Sequence, residues 1–378
     1  MNPMNELSGT SQTSEVKQDH PITKFQPALN CESSGLQGDQ SSKPDNVGFR
    51  CTLKDLGVKT SETLGRICEN KDVVAKGFAK VTVTDYKLHT GSQIKFCSSG
   101  DEDGSRVDDY TISISRLQED DGNFIIQYVA TNVVDGEITV DLSAEAAVME
   151  REGIFSSAFG NTKSGSDPSR LAHYYFGDWN TSESSQPPVL TCGDLLEKAF
   201  GNCAKAGITT SYLYYTNDAL TCSGMHLEDV SLPSVNLVCW GAPKAWLILE
   251  PERQNVERFE SCVKQCMQQR AKMSKSRLLR SYTTAECSQF VRHQNTLFTT
   301  ETLERWRVKF NIVVCGPGEL IVTMPGAYHQ VVNLGPNLAE AVNVAWPGVS
   351  IPPPEYVYCS KKLCKHSDSI SKADLVAR

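Results

Sequence analysis

The chain has 378 residues with a net charge of −8, 39% hydrophobic and 8% aromatic content, which suits one large globular domain or two ordinary ones. The acidic balance argues against a protein that coats nucleic acid with its whole surface, although a local basic patch is compatible with it. A run of about 18 apolar residues is lacking and the N-terminus has no apolar signal core, so neither membrane contact nor secretion is expected. The 14 cysteines form no compact framework, as expected of reduced thiols with a few available for metal.

In chain order, residues 1–46 are rich in Ser, Gln, Asn, Asp and Gly and read as a disordered tail, because such a segment buries too little apolar surface to offset its ordering entropy. A compact segment is expected over 47–89, then a mixed α/β connector over 90–168. In the connector, 110–115 and 123–129 alternate as strands, and 142–151 reads as a short helix with Ser143 as its N-cap. After a Ser/Gly-rich break at 156–168, strand signals become dense at 208–215, 234–240, 245–249, 311–315, 319–323 and 341–345. Pro251 opens a helix in which Val256, Phe259, Val263 and Met267 recur at helical spacing, with Cys262 and Cys266 read as packing residues. Many short strands around one helical insertion predict a mainly β fold with flanking helices, of the jelly-roll or cupin type.

His226 and Glu228 stand two apart, so on a strand both point to one face and reach one metal. A second histidine, His329, follows the strand-like run 319–323. Two histidines and a carboxylate with open positions form the facial triad of non-haem Fe(II) oxygenases, although a bare His-x-Glu is common by chance.

An ordered series of motifs extends this reading: GITTSYLY (207–214), HLED (226–229), SVNL (234–237), WGAPKAW (240–246), GELIVTMP (318–325) and Tyr328-His329, followed by Asn333, Gly335 and Asn343. The series resembles the JmjC (Jumonji) domain of histone lysine demethylases. FRCT (49–52), GFAKV (77–81) and GNFIIQY (122–128) resemble, more thinly, the JmjN segment and the join of the branch that acts on trimethylated lysines. The resemblance implies a double-stranded β-helix over 169–350, a divergent JmjN-like segment over 47–89, and a zinc-closing segment with the C-terminal tail over 351–378.

It further implies Fe(II) held by His226, Glu228 and His329, and 2-oxoglutarate bound by Lys244, Asn236 and Tyr174, with Tyr175 competing for the last role. Lys244 also makes sense on its own: a long cation among apolar strand residues calls for an anionic partner. Tyr212 and Tyr214 match the aromatic wall of a methyl-lysine channel, where cation–π attraction suits a methylated ammonium. Asn333 and Asn343 match positions near the substrate. A zinc site of Cys287, His293, Cys359 and Cys364 is implied as well, with His366 a rival to Cys364.

The chain departs from that pattern at Ser223 or Cys222, where a phenylalanine is usual, and at Ala341 and Val342, where a Ser-Thr pair is usual; the stretch 215–225 is one residue longer. The expected activity is demethylation of methylated lysine on histone H3, at lysine 9 or lysine 36, by N-methyl hydroxylation and formaldehyde release in the nucleus. A JmjC protein hydroxylase and a catalytically drifted chromatin scaffold are the alternatives. The basic run 270–280 is either a solvated helix end or a contact for nucleosomal DNA.

Overall fold

The computed structural model describes residues 48–87, 93–97, 108–118, 124–132, 137–141, 146–148, 153–156, 172–178, 189–201, 203–273, 287–294, 296–359 and 370–375. The expected tail 1–46, the residues 274–280 of the basic run, Cys364 and His366 lie outside the described residues.

The front of the chain is a strand, three short helices and a returning strand: β1 (Phe49–Cys51), α1 (Leu53–Val58), α2 (Thr60–Cys68), α3 (Lys71–Lys76) and β2 (Phe78–Val83). Thr52 and Asp55 cap α1 reciprocally, and Asn70 caps α3 through its side-chain oxygen. Gly77 ends α3 at φ 84°, a conformation that costs glycine nothing, and turns the chain into β2. β3 (Gln93–Cys97) pairs with β6 (Glu137–Asp141), while β4 (Asp108–Gln118) pairs with β5 (Phe124–Asn132) and with β7 (Ala172–Asp178).

After α4 (Asp194–Ala199) come β8 (Tyr212–Thr216), β9 (Cys222–His226), β10 (Ser234–Gly241) and β11 (Lys244–Leu249). The long α5 (Arg253–Met273) follows, then β12 (Thr296–Phe298), α6 (Thr300–Arg305), β13 (Phe310–Cys315), β14 (Glu319–Thr323), β15 (His329–Asn333) and β16 (Asn337–Asn343). Among the described residues these strands form a large sheet in the order β1-β2-β14-β10-β16-β8-β7-β4-β5-β12 and a smaller one in the order β13-β11-β15-β9. Two mainly antiparallel sheets with few helices constitute the jelly-roll, cupin-like architecture.

The period of two along each strand explains the layering. In β10, Val235, Leu237 and Cys239 enter the core against the front helices, whereas Val238 belongs to a core shared with the smaller sheet. In β11, Ala245, Leu247 and Leu249 pack toward α5, while Trp246 and Ile248 join Val238 and Ile321. Both faces of β11 are therefore covered, and all six of its residues are buried. α5 docks as its spacing predicts: Phe259, Val263, Cys266 and Met267 are buried, each worth roughly 1.5–3 kcal/mol for the large apolar side chains.

Three elements differ from the sequence reading. The strand expected at 208–215 starts only at Tyr212, because Thr209 bonds locally to Lys205 N and Cys203 O and holds 207–210 in a turn. The strand expected at 341–345 is β16, Asn337–Asn343, since its ladder with β10 and β8 begins at Asn337. The helix expected at 142–151 is absent from its described part: 146–148 are not helical, despite good helix formers. There the Ala147 carbonyl lies so close to Gly335 that a Cβ on the glycine would clash with it, and Ala146 and Val148 pack on different cores. Tertiary packing outweighs propensity at that point.

Candidate metal centre

His226 ends β9 and His329 begins β15, and the two are direct cross-strand partners. Their rings lie 4.2 Å apart between centroids at 57°. His226 Nδ1 meets Gly224 O at 2.7 Å and His329 Nδ1 meets Ala327 O at 3.0 Å, so each ring carries its proton on Nδ1. Both Nε2 lone pairs are left facing Glu228, whose Oε1 is 4.0 Å from His226 Nε2 and 3.4 Å from His329 Nε2. That is the tautomer a metal-binding imidazole needs, with the second nitrogen anchored by a carbonyl.

Electrostatics agree with the geometry. Burial, followed by the neighbouring His329, pushes His226 down to about 3 and keeps it neutral. Burial alone pushes the Glu228 carboxyl up, but the neighbouring imidazoles of His329 and His226 and the Arg292 guanidinium outweigh it and hold the group ionised. Asn343 Nδ2 donates to Glu228 Oε2 at 3.3 Å and to Pro233 O at 3.2 Å, fixing the carboxylate from behind. Two imidazoles and one carboxylate within 4.8 Å of one another are a donor set that fits a divalent cation.

The three side chains stand in a cavity between the two sheets. Tyr214, Ser234, Asn236, Ala341 and Asn343 line it from the larger sheet. Ser223, Lys244, Trp246 and Val331 line it from the smaller one. Lys244 is 1% exposed, and burial pushes its ammonium down to about 8, while its Nζ sits 5.8 Å from the centre of the Tyr214 ring. Trp246 Nε1 and Asn236 Oδ1 are buried without a hydrogen-bond partner. A cation and an unspent indole N–H beside the metal-binding groups fit an anionic, oxygen-rich ligand.

The other expected residues fall in several places. Tyr212 contacts Tyr214 edge-on at 5.6 Å but does not line the cavity. Asn333 does not line it either: its amide donates to Thr221 Oγ1 at 2.8 Å and accepts from Asn337 Nδ2 at 3.0 Å. Tyr174 and Tyr175 lie on β7, where only the backbone is described; Tyr174 pairs with Thr216 of β8. Of the two candidates for the altered wall position, Ser223 lines the cavity and Cys222 is packed in the core below it. The sequence reading assigned no site role to Trp246, although its place two residues after Lys244 on a strand puts both on one face.

A second cluster lies nearby. Cys287 Sγ is 3.8 Å from His293 Nδ1, and Cys359 Sγ is 3.3 Å from His293 Nε2. These three residues meet the spacing for a shared metal, and Cys364 lies outside the described residues. The turn after Glu228 is strained: Val230 (φ 46°) and Ser231 (φ 54°) are consecutive left-handed non-glycine residues, each costing about 1–3 kcal/mol. Gln289 and Arg292, which no sequence signal had marked, hold this turn: Gln289 Nε2 donates to Glu228 O at 3.0 Å and Arg292 Nη1 to Asp229 Oδ1 at 2.8 Å.

Residues 213–344 match the family described as JmjC domain, hydroxylase. Probable lysine-specific demethylase 4F of Homo sapiens is 34% identical over 154 residues, covering 41% of this chain and 22% of that protein. Lysine-specific demethylase 4D of Rattus norvegicus is 32% identical over 170 residues, covering 45% of this chain and 30% of that protein. Lysine-specific demethylase 4B of Mus musculus is 30% identical over 155 residues, covering 40% and 12% respectively. The match thus spans 30% or less of the length of each of these relatives. With its two facing sheets and its His-Glu-His triad, the chain carries a JmjC domain, and over that domain it is similar to lysine-specific demethylases.

Proposed function

We propose that this chain is an Fe(II)/2-oxoglutarate-dependent dioxygenase that removes methyl groups from lysine on the histone H3 tail, at lysine 9 or lysine 36. The observation that carries the reading is the convergence, in one cavity, of two Nε2 lone pairs, one carboxylate, a buried ammonium and an unspent indole N–H. His226, Glu228 and His329 hold Fe(II), which supplies the oxidising chemistry with dioxygen and 2-oxoglutarate when bound. Lys244 neutralises the distal carboxylate of the co-substrate, with Asn236, Trp246 and Tyr174 beside it. The anion in turn satisfies a cation that burial otherwise penalises.

Tyr214, with Tyr212 behind it, walls the channel of the methylammonium, and Asn343 steadies Glu228. Asn333 acts from a distance by fixing the turn between β15 and β16. The N-methyl group is hydroxylated and the product collapses to formaldehyde and a lysine with one methyl fewer. Cys287, His293 and Cys359, with Cys364, hold a structural zinc that closes the substrate groove. The enzyme works in the nucleus on nucleosomes, with the 270–280 basic run against DNA.

One observation favours the alternatives, a drifted chromatin scaffold or a protein hydroxylase: Ser223, Ala341 and Val342, the positions that depart from the demethylase pattern, all line the cavity. Mass spectrometry of methylated histone peptides incubated with protein, iron, ascorbate and 2-oxoglutarate separates the readings. Stepwise loss of methyl mass with formaldehyde release is expected. A stable oxygenated peptide without formaldehyde transfers the assignment to a hydroxylase, and absent 2-oxoglutarate turnover with iron bound transfers it to a chromatin scaffold.

A further inference from the structure

Val230 is β-branched, fully buried and left-handed, and such a conformation persists only where its surroundings over-determine it. Besides the core packing of Val230 and Leu232 and the turn's own backbone bonds, one further segment restrains it. Gln289 is 1% exposed and directs its Nε2 to the Glu228 carbonyl, leaving its own Oε1 buried without a hydrogen bond. The Arg292 guanidinium pairs with Asp229, whose side chain is 8% exposed. Both residues stand between Cys287 and His293, two members of the thiol–imidazole cluster. Ser288 ties the same segment to the irregular stretch that carries Cys359: Ser288 N donates to Val357 O at 2.9 Å, and Val357 N donates to Ser288 Oγ at 2.9 Å.

We propose that Gln289 and Arg292 are positioning residues that clamp the Glu228–Ser231 turn, so that metal in the Cys287–His293–Cys359 cluster sets the affinity of the His226–Glu228–His329 triad for its own metal. The inference rests on the reading that both clusters hold metals. Emptying the thiol cluster leaves the Ser288–Val357 bonds as the tie between the Cys287–His293 segment and the Cys359 stretch, so the segment shifts and the two clamp contacts weaken. The turn then relaxes toward ordinary backbone angles and carries the Glu228 carboxylate away from His329. Among the described residues the Asn343 contact, made to the other oxygen, remains on the carboxylate. The coupling runs through a strained element with two arrangements, which both clusters bias.

The test is calorimetric titration of the full chain with Co(II), counting as triad binding the component lost in His226→Ala. The doubly substituted protein Gln289→Leu/Arg292→Ala and, separately, Cys287→Ser are each expected to bind triad Co(II) at least tenfold more weakly. Combining all three substitutions should weaken it no further than the weaker of the two, because they break one link. Arg292→Lys should stay near wild type, and amide exchange at Val230, Ser231 and Leu232 should accelerate selectively in the weakened proteins. If the double variant fails to fold, the single substitutions carry the same comparison. Wild-type Co(II) affinity in the clamp variants, or additive losses on combination, overturns the clamp alone. Absence of any His226-dependent Co(II) binding in the wild type overturns the triad reading with it.

Discussion

Lys244→Met removes a buried ammonium while keeping a similar apolar stem. Burial lowers the lysine from 10.5 to about 8, and each tenfold change in proton affinity is worth about 1.4 kcal/mol. At pH 7 the charge therefore costs the ligand-free fold on the order of 3 kcal/mol. The Tyr214 ring 5.8 Å away returns roughly 0.5–2 kcal/mol of that, so the methionine variant should be more stable by about 1–2.5 kcal/mol. The pH dependence has a definite sign. Between about 8 and 10.5 the unfolded chain holds a proton that the folded chain has released, so wild-type stability rises with pH across that window. The variant lacks this rise. Urea unfolding at pH 7 and pH 9.5, with Mn(II) and with or without 2-oxoglutarate, reads both effects. The wild type should be stabilised by the co-substrate, by about 2.7 kcal/mol at a hundredfold excess over its dissociation constant, and Lys244→Met should lose most of that gain. A variant no more stable than wild type and still stabilised by 2-oxoglutarate would refute the burial argument and the ligand role together.

His226→Ala or Glu228→Ala should abolish turnover while leaving the circular dichroism spectrum and most of the thermal stability in place, since each removes a polar group at or just beyond the end of β9 rather than an apolar core side chain. Retained turnover in either one counts against the triad. Elemental analysis should find about one zinc per chain irrespective of added iron. Cys287→Ser should lose it and melt earlier, whereas a well-folded zinc-free wild type made without chelators would mean that the cluster is only packed thiols and an imidazole. Burial pushes Glu340 up to about 7, against the opposing amides of Leu190 and Val189, so the folded chain binds the extra proton between about 4.5 and 7 and loses stability as pH rises through that range. Glu340→Gln should flatten that fall, by about 3 kcal/mol at most, in denaturant titrations at pH 5 and pH 8.

Local periodicity made much of this protein legible in its sequence. Alternation along Lys244–Leu249 separates the cavity face from the α5 face, and the i, i+3, i+4 spacing of Val256, Phe259, Val263 and Met267 dictates which side of the long helix is buried. The spacing of His226 and Glu228 marked an imidazole and a carboxylate for one ion, although β9 ends at His226 and Glu228 follows in extended backbone rather than on the strand.

Tertiary structure decided which faces meet and where each polar group spends its hydrogen bonds. The cross-strand pairing of His226 with His329 depends on strand register across the smaller sheet. Asn333 and Asn343 look alike as sequence, yet one is consumed by Thr221 and Asn337 while the other supports Glu228. The helix expected near Ala147 yields to close packing against Gly335, a residue far along the chain. The clamp from Gln289 and Arg292 onto the strained turn has no local signature at all. Side-chain periodicity is a property of neighbours along the backbone, whereas pairing, desolvation and strain are properties of neighbours in space, and only the folded chain brings those together.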